Sequence, residues 1–344
     1  MVSARRVSIN TKYKGTDISK EIAEYIESFS YDDAASGESD TISLSLRNDK
    51  KKWISSWFPE KGDSVECVLI FKNWDYSGTS TKLKCGKFQV DDISFQGGPL
   101  SATIGATSTP QGSAFNVTER TKTWESITVE QIAKEIAKRA GVSLYYDADK
   151  ISISSIEQSG QTDCKFLYSI CQSYGLAMKV YSDKIVIIDE EKAEKKKATL
   201  TLKENDMISW SFNTTVAGTY TAAKVSFSDP DNDKDYVVKI GSGERVLTVN
   251  VTADNLKDAE RKGIAKLNSE NKKSSTMSVT IKANPCVVSG ITVNIDGLEK
   301  IDGKYYIDKV RTKVSGSGAT QMTLELHKVN AYIKNITKVT TKDK

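Results

Sequence analysis

The chain has a single histidine, His327, and any Ser-His-Asp or Cys-His relay would have to use it. It lies in Thr323-Leu-Glu-Leu-His327, on the polar side of an alternating stretch with Glu325 and opposite Leu324 and Leu326. That alternation predicts a solvated strand residue rather than a general base. Cys67, Cys85, Cys164, Cys171 and Cys286 are scattered, with no C-x-x-C pair and no zinc-ligand spacing. Odd in number, they read as reduced core thiols of a protein made in the cytosol. Neither G-x-S-x-G nor H-E-x-x-H occurs.

Two acidic or glycine-bearing loops invite a ligand reading. Gly297 to Tyr305 looks like a phosphate loop, but its glycines are one residue too far apart. Tyr305 also stands where a Mg²⁺-binding Ser or Thr is needed. Asp229, Asp231, Asp233 and Asp235 alternate as calcium ligands do. An EF-type loop would want Gly at 234 and Glu at 240, where this chain has Lys234 and Ile240. Asp, Asn and Pro are turn formers, so a solvated hairpin tip is the expected role, with cation binding left open. Nothing points to a carboxylate pair for glycoside cleavage. The sequence therefore offers no catalytic, cofactor-binding or metal residues, no cofactor and no enzyme. What remains is one aromatic cluster, Trp53, Trp57 and Phe58 beside Pro59. It is a candidate protein interface, with core packing at the end of a barrel as the favoured alternative.

The elements that would carry these residues are mostly strands. Thr41-Ile-Ser-Leu-Ser-Leu-Arg47 alternates at period two, and Ser64–Phe71, Lys87–Phe95 and Ala102–Ala106 follow at short spacing. This predicts a β-barrel domain over residues 1–112. From 113 to 197 the period changes. Thr128 with Gln131 forms a capping-box pattern ahead of Val129, Ile132, Ala133, Ile136, Ala137 and Ala140, and Gly141 supplies the stop. Asp163 as N-cap, Phe166, Leu167, Ile170, Cys171 and Tyr174, then Gly175, repeat the plan, giving an α/β domain with two helix–strand repeats. The charge run Glu190–Lys197 reads as a solvated linker. Residues 198–333 return to β, with Ile208, Trp210 and Phe212 expected inward and a helix at about 253–270 interrupting the strands. Ser315 to Gly318 joins the last two strands, and 334–344 is a basic tail expected to fray. The fold class is thus mainly β with an α/β insertion: two small antiparallel β-barrel-like domains plus a small α/β domain.

Composition narrows the function classes. Over 344 residues, 49 basic and 45 acidic side chains leave a formal charge of only +4. Eight of the basic residues are arginine, too few for a protein that reads bases or phosphates bidentately. No apolar run approaches the ~18 residues of a membrane span. The start, Met1 to Val7, has charge but no apolar h-region. Neither nucleic-acid recognition nor stable membrane insertion is expected.

The order of several segments is more specific than any one of them. Gly37 to Leu46, Trp53 to Gly62, Gly86 to Ile93, Arg120 to Glu125, Val287 to Val293 and Asp302 to Arg311 follow one another as in the late-control-D-type baseplate hubs of contractile phage tails. In particular, the chain resembles the form found in PBSX-like prophages and tail-like bacteriocins. The resemblance implies a homotrimeric, pseudo-sixfold ring, built in the bacterial cytoplasm and assembled into a baseplate. It would join a hexameric tail tube, or a tube-initiator protein, above to a trimeric spike below. Other baseplate proteins and the tape measure protein are further implied partners. Two rival classes stand beside it: a β-rich extracellular or cell-wall glycan-binding module, and a tail-associated peptidoglycan hydrolase.

Overall fold

The computed structural model describes residues 4–74, 76–108, 114–229, 234–316 and 319–343. The chain is mainly β with α/β insertions, as its periodicities indicate. Five α-helices occur among the described residues: α1 (Ser19–Ile22), α2 (Val129–Ala140), α3 (Asp163–Ser173), α4 (Glu190–Lys195) and α5 (Leu256–Lys272).

The two β regions do not close into separate barrels; one sheet of 13 strands runs through both. Its path begins Met207–Thr214, Ser275–Lys282, Thr320–Lys328, Gly303–Ser315, then crosses to Ile26–Ala34, Thr41–Arg47 and Ser101–Thr107. It ends through Ser80–Gln96, Ser64–Lys72, Arg6–Tyr13 and Thr16–Asp17. The join is Gly303–Ser315 lying antiparallel on Ile26–Ala34, with Lys309 opposite Ala34 and Ser315 opposite Ser28. Inward residues of both regions, among them Phe29, Leu44, Leu69, Val279, Ile307 and Leu324, then share one core.

The insertion between them builds its own core from Ile132, Ile136, Phe166, Leu167 and Ile170. α2 starts where its sequence says: the Thr128 hydroxyl accepts from the Gln131 amide and the Gln131 side chain accepts from the Thr128 amide. α3 is capped by Thr162, whose hydroxyl accepts from the Lys165 amide, not by the expected Asp163. Asp163 is buried and is instead held by the Arg139 guanidinium at 2.8 and 3.1 Å. The strand Leu176–Tyr181 docks this unit on the first β region. The Gly37 amide donates to the Met178 carbonyl, the Ser108 hydroxyl to Val180 and the Tyr181 hydroxyl to Lys84. At Gly86 (φ +111°) a Cβ would lie 3.2 Å from both Ser182 and Tyr181, so the close approach needs glycine.

A further sheet, Ala222–Asp229, Lys234–Gly241, Val246–Asn250 and Ile336–Asp343, packs under α5 around Val225, Val238, Ile240 and Leu267. The Lys- and Thr-rich end therefore does not fray. It pairs with Lys234–Gly241, whose outer edge would otherwise stay open. The aspartate cluster joins two strands that pair up to Asp229 opposite Lys234, while Asp231 and Asp233 lie outside the described residues. So do residues 317 and 318 of the last hairpin.

Two expectations about sidedness reverse. Ile208 and Trp210 point outward, 55% and 41% exposed, and Phe212 is only partly buried. Met207–Thr214 is an edge strand that pairs only with Ser275–Lys282; Met207 and Phe212 pack against the core, while Ile208 and Trp210 stay exposed. The charge run 190–197 is not a solvated linker. It forms α4, and Ala193 and Glu194 are buried. Ala193 packs with Ala35 and Tyr306, and Glu194 reaches His327 of the main sheet.

Where the α/β unit meets the sheet, a buried cation holds three elements together. The Lys179 ammonium lies 2.5 Å from Asp33 and 3.2 Å from Asp40. Asp33 also accepts from the amide and the hydroxyl of Ser289, at 2.7 and 2.6 Å. Burial, opposed by Lys179, pushes the Asp40 carboxyl up to about 7. Burial alone would depress the Lys179 ammonium, but Asp33 and Asp40 hold it above its usual value. Removing one partner of such a group leaves uncompensated charge in the interior, which costs roughly 3–5 kcal/mol. Lys179→Met is accordingly expected to lower the urea midpoint strongly. Lys87→Met, which removes a half-exposed partner of Asp183, should cost less than about 1 kcal/mol. Equal effects would show that the buried cation is not a structural pin.

Candidate functional site

His327 is not the solvated residue its strand pattern predicts. It is 3% exposed. Its partner strand Gly303–Ser315 carries a bulge between Ile307 and Lys309, and this brings the Asp308 carboxylate to 2.9 Å from Nδ1. Glu194, on α4, lies 3.2 Å from Nε2. Both ring nitrogens face carboxylate oxygens, so both donate and the ring is an imidazolium. Burial alone would lower its pKa, but hydrogen bonds to Asp308 and Glu194 outweigh this and raise it to about 9. Lys272 of α5, at 3.0 Å, and the Tyr332 hydroxyl, also at 3.0 Å, complete the shell around Glu194. The arrangement looks like a proton relay, yet neither nitrogen is left for a substrate. What it can do is tie α4, α5 and the segment after the last sheet strand to the main sheet.

The raised pKa makes a stability prediction. The folded value, about 9, exceeds the ordinary 6.5, so the contribution is complete below pH 6.5 and is lost as pH climbs through 9. Its size is on the order of 3 kcal/mol. The melting temperature should fall over this range, and the fall should be shallower in His327→Gln. Buried thiols add their own loss above about 8.5, so the difference between the two curves is the quantity to measure. Parallel curves would mean that His327 is neutral.

The phosphate-loop reading of Gly297–Tyr305 also ends here. The Gly297 and Leu298 amides, which a phosphate would need, donate to the Asp302 carboxylate at 3.3 and 2.6 Å. Those two amides are therefore not free to cradle an anion.

The aromatic cluster divides between core and surface. Trp53 is buried, Trp57 is half-buried, and Phe58 is 54% exposed. Trp53 and Trp57 meet edge to face at 5.4 Å, Tyr25 touches both, and Phe58 lies 5.8 Å from the exposed Phe95. A short 3₁₀ turn, Lys52–Ile54, sets their spacing, and the buried Asn48 side chain accepts from the Trp53 amide to hold it. They wall a cavity of about 370 Å³ with Ile18, Ile22 and Leu46. A second surface, missed from sequence, is the edge strand Met207–Thr214 with Ile208 and Trp210 outward. At the other end of the sheet, Arg6–Tyr13 pairs outward only at Lys12 and Tyr13. Alternation was visible in Met207–Thr214, but not the exposure of Ile208 and Trp210.

No family model matches the chain. Its sequence is similar to two curated proteins, each named "probable baseplate hub protein". That of Escherichia phage 186 is 25% identical over 230 residues, 64% of this chain and 57% of that one. That of Escherichia phage P2 is 27% identical over 175 residues, 50% of this chain and 42% of that one. The chain thus aligns with about half the length of the curated relatives it matches. Among solved structures, the tail protein from Neisseria meningitidis MC58 superposes with a TM-score of 0.71. It is 16% identical, and the match covers 95% of this chain and 98% of that one. The resemblance to phage baseplate hubs first seen in the order of segments is therefore borne out, by sequence against named hub proteins and by fold against a tail protein.

Proposed function

We propose that the chain is a structural, non-enzymatic hub of a contractile tail baseplate. In this reading three copies form a ring that joins the tail tube, or its initiator, to the central spike. The observation that carries it is similarity to named hubs together with a fold shared along nearly the whole chain with a tail protein. The sheet supports it physically. Each chain brings two β regions into one open sheet, so three chains would present six comparable units to a hexameric tube.

The two unpaired ends of that sheet are complementary. Met207–Thr214 exposes Ile208 and Trp210 and is preceded by Glu204 and Asp206, whereas Arg6–Tyr13 is preceded by Arg5. Head-to-tail contact between such ends closes in a ring, and unpaired edges that remain exposed promote mispairing. Assembly with further tail proteins belongs to the same proposal. A Cys/His form of the hydrolase alternative would lack a free imidazole, because His327 is buried between two carboxylates.

Light scattering after size exclusion, at tens of micromolar, tests the ring. The expected mass is that of three 37.9 kDa chains, about 114 kDa. Trp210→Asp should return the monomer mass and a melting temperature that no longer depends on protein concentration. A wild-type mass of 37.9 kDa under these conditions overturns the ring. On a cell-wall zymogram the protein should leave no clear band, and a lytic band would sink the structural reading.

A further inference from the structure

The cavity beside Phe58 has the features of a docking site that is incomplete within this chain. Its walls are mostly apolar, Phe58 among them, and exposed Phe95 packs against Phe58 at 5.8 Å. Trp53 is 6% exposed and forms one wall, yet its indole N–H has no acceptor among the described residues. The hydroxyl of Tyr25, packed edge-on against Trp53 and Trp57, is likewise buried and unpartnered. Leaving such donors unsatisfied carries a desolvation cost. An acceptor supplied from outside would recover that cost at the indole.

Charge fixes what the outside group is. Lys50, Lys51 and Lys52 stand in a row beside the cluster. None has a carboxylate partner among the described residues. The Lys52 ammonium lies 4.3 Å from the Trp57 ring centroid and the Lys50 ammonium 5.7 Å from that of Tyr25. Two carboxylates, Asp17 and Glu21, line the cavity itself. A polyanionic surface, whether nucleic acid or membrane, would meet those carboxylates as well as the lysines. A short peptide segment with acidic residues on one side only avoids the clash. The basic end of this chain is a poor occupant, since Ile336–Asp343 is already paired in a sheet.

We propose that this cavity docks a segment of another protein: one large apolar side chain enters it, and acidic residues beside that anchor meet Lys50, Lys51 and Lys52. The inference deepens the hub reading by giving a partner's chemistry, but its test does not depend on trimerisation. Apolar burial supplies affinity, while the lysine row sets orientation and partner choice.

The probe is a synthetic peptide of about 12 residues with one Phe preceded by three Glu in a Gly/Ser background. Controls replace the Glu residues with Lys, or the Phe with Ala. The indole N–H resonances of the full chain are followed by NMR. The acidic peptide is expected to shift the Trp53 indole signal. Both controls should bind at least roughly tenfold more weakly. The triple variant Lys50→Glu, Lys51→Glu, Lys52→Glu should reverse the preference in favour of the Lys peptide. Its substitutions at these surface positions leave the core intact, and an unchanged melting temperature checks this. Phe58→Ser should weaken all binding. No shift up to ~1 mM acidic peptide, or equal binding of the Lys peptide, overturns the proposal. So does capture of the site by phosphatidylglycerol vesicles, or concentration-dependent self-association that the triple variant abolishes. A triple variant that loses peptide binding yet keeps the wild-type mass separates failure of docking from failure of the ring.

Discussion

The structure depends on one strand pairing, that of Gly303–Ser315 with Ile26–Ala34. Its partners are about 280 residues apart in the chain, so closing it costs loop entropy that only a large shared core can offset. That core is present: Phe29, Leu44 and Leu69 from one end of the chain pack in the same apolar cluster as Val279, Ile307 and Leu324 from the other. Without the pairing, the two β regions would each be an open sheet with an additional unpaired edge. With it, they become one sheet, and the remaining units have a fixed platform.

Both buried charge clusters gather at this seam. Asp33 belongs to one of the paired strands and reaches Lys179 of the α/β unit and Ser289 of a connecting loop. Asp308 sits in the bulge of the other and reaches His327, which engages Glu194 and through it Lys272 and Tyr332. Apolar packing tolerates small slips between units, but a buried ion pair with few alternatives does not. Breaking either cluster would leave a charge buried without its partner, so each fixes the place of the units it joins. They hold every appended unit to the sheet at a defined place.

In this molecule the groups whose types suggest chemistry are engaged in structural roles. Its one imidazole is consumed in a joint, its phosphate-loop look-alike is closed by Asp302, and its cysteines are without ligand geometry. What stays exposed is informative instead: an edge strand bearing Ile208 and Trp210, and an aromatic cavity flanked by unpaired lysines. Large exposed apolar groups of this kind mark candidate contact surfaces.

The sequence alone determined what depends on neighbours a few residues away. The capping box at Thr128, the stop at Gly141 and the alternation of Thr41–Arg47 were legible because hydrogen bonds and side-chain periodicity act within one element. The resemblance to hub proteins was legible because it rests on the order of segments. Only the tertiary structure decided which face of each element is covered. Ile208 and Trp210 alternate as a buried strand should, yet no layer lies over them. His327 alternates as a solvated residue should, yet a bulge and α4 enclose it. Glu194 and Lys179 look like ordinary surface charges until distant partners reach them. Burial is a property of what packs against a residue, and those partners are separated from it by up to hundreds of positions in the chain.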